Sequence, residues 1–487
     1  MLSACSLAPH YHTPAMPEVP AYKEAGDWIV AQPADDAPRG QWWKAFGNPE
    51  LNVLEDKLAT SNQDIKIYLA RYEEARSLAK QAQADFFPTV TADGHDFRER
   101  SSPNFTTLHE GPPYNDYLPS VDLSYEIDLW GRIRNEVYAQ NSLAKASFAD
   151  AAAAELSVRA ELATDYFMLR GDDASQRVLD ETVVAYSKAL DLTRNRFKGG
   201  VAAEADLDQA ETQYQNARTQ DADMHMKRQQ LEHAIAVLIG EPPALFSLPT
   251  LALDDLKAPA VSPGLPSTLL QRRPDIAAAQ RRVQAANAQI GVARAAWFPD
   301  FSLSASYGFE SVKASNLLTS ASRIWSFGPS MTLPIFEAGR ISGLNDQARA
   351  QYDESVATYR KTVLTAYQDV EDSLVALRQL DQENESQTAA TKAAERALKQ
   401  AQDRYTGGII TYLDVVVLQN TELQARLSSI DITTREMTQS VQLVKALGGG
   451  WGVTAQLVKP VAVAATAAPL SATPAGAAPA APSRAQR

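Results

Sequence analysis

A single cysteine in 487 residues excludes a disulfide framework and any zinc site built on cysteine thiolates. Basic runs are missing too: 46 Lys and Arg stand against 59 Asp and Glu, a formal net charge of −13, which argues against nucleic acid as a partner. No run of about 18 strongly apolar residues occurs, so no transmembrane helix is encoded. β-Strands cross a bilayer with a far weaker signal, and that route stays open. Phosphate-binding loops, HExxH and nucleophile elbows are absent, so the chain reads as a non-enzyme. Histidines are few and scattered. His10 and His12 flank Tyr11 as a solvated pair or an outlying metal site, and His225 and His233 lie eight apart on a helix, too far for shared ligation. No metal site and no cofactor are expected.

What is present is a direct repeat. Arg196-Phe-Lys-Gly-Gly-Val201 recurs as Arg404-Tyr-Thr-Gly-Gly-Ile409, an offset of 208 (404 − 196). The same offset carries Gly131-Arg132 onto Gly339-Arg340, Leu169-Arg170 onto Leu377-Arg378 and Asp206 onto Asp414. Each unit reads helix, strand, strand, long helix, return helix. The first helix is expected over 50–86, with Leu51, Leu54 and Leu58 at helical spacing, and its counterpart over 274–297; both stop at Phe-Pro. The period then changes to two: Val121, Leu123, Tyr125, Ile127 and Leu129 alternate with polar residues, as do Phe301 to Phe309 and Trp325 to Ile335, with 89–99 a weaker fourth strand.

After Gly131 and Gly339 the helical pattern resumes over 133–197 and 341–405 without a proline. At 1.5 Å per residue such helices are about 100 Å long. The return helices are expected over 203–239 and 411–447, and in the second Val416, Asn420, Leu423, Leu427, Ile430, Thr434, Met437, Val441 and Val444 form a heptad seam. Gly199-Gly200 and Gly407-Gly408 supply the positive φ of the turns. The fold class is therefore mainly α, with long antiparallel coiled-coil hairpins and four strands of about ten residues. Two readings of the strands remain: a soluble antiparallel sheet within a coiled-coil scaffold, or a membrane β-barrel closed by oligomerisation, because open edges go unsatisfied in lipid. Twelve strands from a trimer leave room for a channel, whereas eight from a dimer fill with side chains.

Leu2-Ser3-Ala4-Cys5 has the form of a lipobox, and acylation of Cys5 would supply an anchor. The charged and apolar segments that precede such a box are missing, so the sequence reads as truncated or as starting at a mis-assigned Met. Residues 1–49 are taken as a lipidated N-terminal segment, 50–260 and 261–452 as the two repeats, and 453–487 as an Ala/Pro-rich disordered tail.

In combination these motifs resemble the TolC-like outer-membrane efflux proteins, in the NodT-type lipoprotein branch that serves resistance-nodulation-division pumps. The residues carrying the likeness are Cys5 with Pro9, Tyr11 and Pro14, then Trp42-Trp43-Lys-Ala-Phe-Gly-Asn-Pro-Glu-Leu51 and Asp128-Leu-Trp-Gly-Arg132. They continue with Arg272-Arg-Pro-Asp-Ile276, Pro334-Ile-Phe-Glu-Ala-Gly-Arg340 and Ala446-Leu-Gly-Gly-Gly-Trp451. The resemblance implies a lipid-anchored homotrimer in the bacterial outer membrane, with one shared 12-stranded barrel and a periplasmic α-barrel. It also implies tips that gate the inner end and dock a periplasmic adaptor (membrane fusion) protein, which links the duct to an inner-membrane pump.

By the same resemblance Asp414 occupies the family's acidic constriction ring, and Val417 stands where many relatives carry a second acidic residue. The run Val415-Val416-Val417 then suggests a partly dewetting gate. Asp206, the repeat equivalent, is read as a helix-dipole partner at the same level. Arg196, Phe197, Gly199, Gly200, Arg404, Tyr405, Gly407 and Gly408 are expected to tie neighbouring tips together and to meet the adaptor. Arg132 and Arg340 are expected to be structural at the membrane boundary, Pro334 to bend the chain, and Trp130, Tyr307 and Trp325 to join an aromatic girdle or pack a core.

Overall fold

A computed structural model describes the protein over residues 6–16, 19, 21–25, 41–100, 113–251 and 273–449. Cys5 and the 453–487 tail lie outside the described residues. The first half contains α1 (Pro49–Ser61), α2 (Gln63–Ala84), β1 (Thr89–Glu99), β2 (Tyr114–Glu126), α3 (Arg132–Lys198) and α4 (Glu204–Leu238). The second contains α5 (Pro274–Ala295), β3 (Asp300–Phe309), β4 (Arg323–Thr332), α6 (Arg340–Thr406) and α7 (Tyr412–Ala446). Both long helices have 67 residues and both return helices have 35. The two halves thus repeat one another strand for strand and hairpin for hairpin.

Three boundaries and the weight given to one strand differ from the sequence reading, each for a local reason. The first helix is two helices, because Asn62 takes an extended ψ of 132° between them. Its side-chain oxygen accepts from Ile65 N at 2.9 Å, capping α2, while its amide donates to Leu238 O at 2.8 Å at the end of α4. β1 is no marginal strand: it pairs with β2 along its whole length, from Thr89 opposite Ser124 to Glu99 opposite Tyr114. β2 starts at Tyr114 and ends at Glu126, so Ile127 and Leu129 fall in the connection to α3. β4 ends at Thr332, ahead of Pro334, which leaves Ile335 and Phe336 exposed outside the strand.

The heptad seam of α7 is only part of its buried surface. Val416, Leu423, Met437 and Val441 are buried, but Asn420 is exposed and Gln419 takes the inward place. The cause is that α7 packs on α3 as well as on α6, so its apolar stripe is wider than a two-helix seam. Where α3 meets α7 the approach is close: a Cβ built on Gly171 would lie 2.3 Å from Thr434 Oγ1. Any larger residue at 171 has to displace the Thr434 side chain.

A second core joins α1 to the middle of α3. Trp43 and Phe46, on a 3-10 turn over Trp42–Phe46, are buried with Leu51, Leu54 and Leu58 of α1 against Tyr166 and Phe167. The Arg159 guanidinium lies 4.4 Å from the Trp43 ring centroid. Arg170 is fully buried and bonds Asp173 Oδ2 at 2.6 Å, Pro249 O at 2.7 Å and the Glu50 carboxylate, while Arg228 reaches Asp173 Oδ1 at 2.7 Å. Such a network ties α1, α3, α4 and the following chain together and pairs each guanidinium with carboxylates, although the buried Arg170 Nε has no hydrogen-bond partner among the described residues.

Glu55 is another buried charged group left short of a partner. It is fully buried; Oε2 accepts from Arg159 at 3.0 Å, but Oε1 has no hydrogen-bond partner among the described residues. Burial pushes its carboxyl up to about 8, outweighing the Arg159 charge. The folded chain therefore holds a proton that the unfolded chain releases above its ordinary value. Stability from this group is complete below about pH 4.5 and is lost as pH rises towards 8. Thermal unfolding at pH 5 and pH 8.5 should show the wild type losing on the order of 1 kcal/mol or more across that interval. Glu55→Gln should flatten the dependence, and an equally steep variant would assign it elsewhere.

Candidate functional site

The four strands form one antiparallel sheet in the order β1-β2-β3-β4, so β2 of the first half pairs with β3 of the second. Register sorts the side chains into two faces. Val121, Tyr307 and Trp325 lie opposite one another in turn, as do Leu123, Ala305 and Phe327, and Val90 lies opposite Leu123. On the other face Ser124 lies opposite Ser304 and Asp122 opposite Ser306, which in turn faces Ser326. A water-soluble sheet buries its apolar face. Here both faces are uncovered in the single chain, and on the apolar one Trp325 is 73%, Phe327 67% and Met331 61% accessible. The strands make their extensive contacts only with each other, and β1 and β4 are left as open edges among the described residues.

At the far ends of the hairpins the two turns are built alike. Gly199 N donates to Asn195 O, Gly200 N to Phe197 O and Val201 N to Arg196 O; Gly407, Gly408 and Ile409 repeat these bonds to Asp403, Tyr405 and Arg404. Only the second glycine of each pair needs positive φ, 70° at Gly200 and 76° at Gly408, whereas Gly199 and Gly407 close their helices near φ −78°. The tips pack against each other within the chain. The Arg196 guanidinium lies 4.7 Å from the Tyr405 ring centroid, and Tyr405 and Tyr412 rings are 5.5 Å apart. Leu190, Ala210, Tyr412 and Val416 fill the small core beneath them. Burial, then Tyr405 and Asp206, pushes the Tyr412 hydroxyl up to about 12.

A model of the outer membrane efflux protein family matches residues 54–241 and 265–449, together well over half of the chain. The chain belongs to that family. The toluene efflux pump outer membrane protein TtgC of Pseudomonas putida is 33% identical over 460 residues, spanning 93% of this chain and 94% of its own. Outer membrane protein OprJ of Pseudomonas aeruginosa is 33% identical over 453 residues, spanning 92% and 94%. Among solved structures, the CmeC outer membrane channel of Campylobacter jejuni superposes with a TM-score of 0.86 at 26% identity, covering 92% of this chain and 96% of that one.

In this outer membrane efflux protein the expected tip residues are divided in role. Asp414 is exposed, and one carboxylate oxygen already accepts from Thr411 N at 3.0 Å and Thr411 Oγ1 at 2.7 Å, the geometry of a capping box. Asp206 is half-buried behind Ala203, which offers no cap, and its charge acts on Tyr412. The valine run needs correction: Val415 and Val416 are each 3% exposed and point into the chain, leaving Val417 outside. Three consecutive residues span 200° of a helix, so they do not share a face. Leu413, one turn before Val417, is the exposed neighbour that completes the apolar pair.

The sequence reading also passed over Val201 and Ile409, 81% and 69% exposed at the two extreme tips. Their signal was their place directly after each Gly-Gly. Arg404 is exposed and Phe197 is 38% exposed, so the repeat equivalents of the Arg196–Tyr405 pair do not meet within one chain. At the other end Arg132 pairs with Glu126 and Arg340 with Glu337 at 2.6 Å, fixing the strand-to-helix junctions. Trp130 packs there on Phe298, ring centroids 4.7 Å apart, and its Nε1 donates to Pro299 O, so it belongs to the junction and not to the exposed face.

Proposed function

We propose that the chain is the outer-membrane exit duct of a tripartite efflux system, conducting small molecules passively from a periplasmic adaptor and an inner-membrane pump of resistance-nodulation-division type. The observation that carries this reading is the exposed apolar sheet face bounded by two open edges. Lipid satisfies the face, and only closure satisfies the edges. Three copies, with β4 of each paired to β1 of the next, give twelve strands whose serine-rich faces line water. Six hairpins then surround one axis. Three Asp414 carboxylates with the Leu413 and Val417 side chains form the aperture, and Val201 and Ile409 present the apolar contact to the adaptor. No catalytic group is needed.

Cys5 carries the covalent lipid, palmitate among its acyl chains, in this reading. The adjacent segment supports it: Ser6 Oγ donates to Asn135 Oδ1 at 3.0 Å at the start of α3, Arg294 reaches Leu7 O and Asn287 reaches Pro9 O at 2.8 Å. Residue 6 therefore lies at the sheet end of the helices, where an acyl chain on its neighbour meets the bilayer.

The test is fractionation of cells expressing the full-length chain and fed labelled palmitate. A detergent-requiring, heat-sensitive trimer in the outer membrane is expected, labelled in the wild type and unlabelled in Cys5→Ser. A soluble monomer would favour a periplasmic coiled-coil scaffold and overturn the duct. A wild-type trimer without label would remove only the anchor.

A further inference from the structure

Midway along the first hairpin four side chains converge from two helices. Gln176 and Asp180 are one turn apart on α3, and Asp221 and His225 are one turn apart on α4. Asp180 stands 20 residues before Gly200 and Asp221 stands 21 after it, with Gln176 and His225 24 before and 25 after. The antiparallel register thus places one i,i+4 pair against the other. Donor atoms of Asp180, Asp221 and His225 all lie within 4.8 Å of one another. Bonds of about 2.0–2.2 Å in a tetrahedron hold donors roughly 3.4 Å apart. Side-chain rotation on the solvent side covers that difference.

A fourth side chain already bridges the two carboxylates. Gln176 is only 6% exposed, its amide nitrogen faces both carboxylates, bonding Asp180 Oδ1 at 3.0 Å and Asp221 Oδ1, and its carbonyl oxygen is buried with no hydrogen-bond partner among the described residues. A cation between the carboxylates would take the place of this amide nitrogen, and turning the amide over would offer its oxygen to the ion while moving the nitrogen into the buried position the oxygen now holds. The hairpin does not need this set for its fold. The second hairpin has Asn384, Thr388, Ser429 and Thr433 at the four positions related by the 208 offset.

We infer that Gln176, Asp180, Asp221 and His225 form a binding site for one divalent transition-metal ion per chain, clamping α3 to α4 about 30 Å from the tip. Two carboxylate oxygens, one imidazole nitrogen and one amide oxygen suit zinc-like ions. Reading the histidines along one helix missed it, because His225 finds its partners across the hairpin.

The test is calorimetric titration of ZnCl2 into the detergent-solubilised full-length protein, with His10 and His12 replaced by alanine in every sample. Saturable uptake of one Zn2+ per chain is expected. His225→Ala and Asp221→Asn should each weaken it at least tenfold, Gln176→Leu should weaken it less, and His233→Ala should leave it unchanged. All are exchanges away from the tip and the sheet, and the oligomer on native gels checks that each has folded. Absence of uptake would overturn the site. So would uptake that His225→Ala and Asp221→Asn leave intact, or that His233→Ala reduces equally.

Discussion

Phe327→Arg should abolish recovery of the trimer from outer membranes, while Ser304→Arg should assemble. Phe327 is at the middle of β4 on the apolar face, opposite Ala305, whereas the adjacent Ser304 is on the serine-rich face. An arginine facing lipid at the midplane costs about 2–4 kcal/mol, so three copies cost roughly 6–12 kcal/mol per trimer. That is comparable with the whole stability of a typical fold. Three arginines in a water-filled lumen keep their hydration and alter conductance instead. The pair of variants separates the two readings of the sheet, because a soluble sheet whose apolar face is merely uncovered would tolerate Phe327→Arg best. Heat-modifiable migration on gels and membrane fractionation read the outcome. Assembly of Phe327→Arg together with failure of Ser304→Arg would invert the faces and sink the barrel proposed here.

Most of this architecture is legible in the sequence because it is periodic and doubled. The 208 offset related the halves, and the change from helical spacing to alternation located β3 and β4 to within a few residues but only the second half of β2, whose start at Tyr114 lies seven residues ahead of Val121 (121 − 114). β1 was weak for a physical reason: the residues sharing its apolar face include Ala92 and Gly94, too small to mark a pattern, and only the register with Val121 and Leu123 reveals it. The break at Asn62 was hidden because its two helices are apolar at compatible phases, and the decisive bond runs to Leu238, more than 170 residues away. At the tips, Gly-Gly announced the turns but could not say which of three valines faces out, since that depends on where α3 lies against α7. Across the first hairpin, Gln176 with Asp180 and Asp221 with His225 become readable once the turn at Gly200 is used as a mirror.

Removing both tip arginines should open the duct. Within the chain Arg196 covers the Tyr405 ring, and the repeat relates this pair to Arg404 and Phe197, which remain exposed. In the proposed ring of six hairpins the missing contact would be Arg404 of one copy over Phe197 of the next, and the closed tips would carry six such pairs. At about 0.5–1 kcal/mol each when exposed, they contribute roughly 3–6 kcal/mol to closure. Losing about 3 kcal/mol raises the open-to-closed ratio on the order of a hundredfold. In planar bilayers Arg196→Ala/Arg404→Ala should therefore conduct at least tenfold more than the wild type, and unchanged conductance would exclude the cation–π lock. Asp414→Ala should behave differently. One oxygen of that carboxylate is held by Thr411, and in the proposed trimer its charge would lie at the aperture, not between the arginine and aromatic partners. Its loss should lower the preference for cations with a smaller change in conductance. If selectivity stays fixed while the arginine variant opens, the tips close the duct and Leu413 and Val417, without the carboxylates, set what passes.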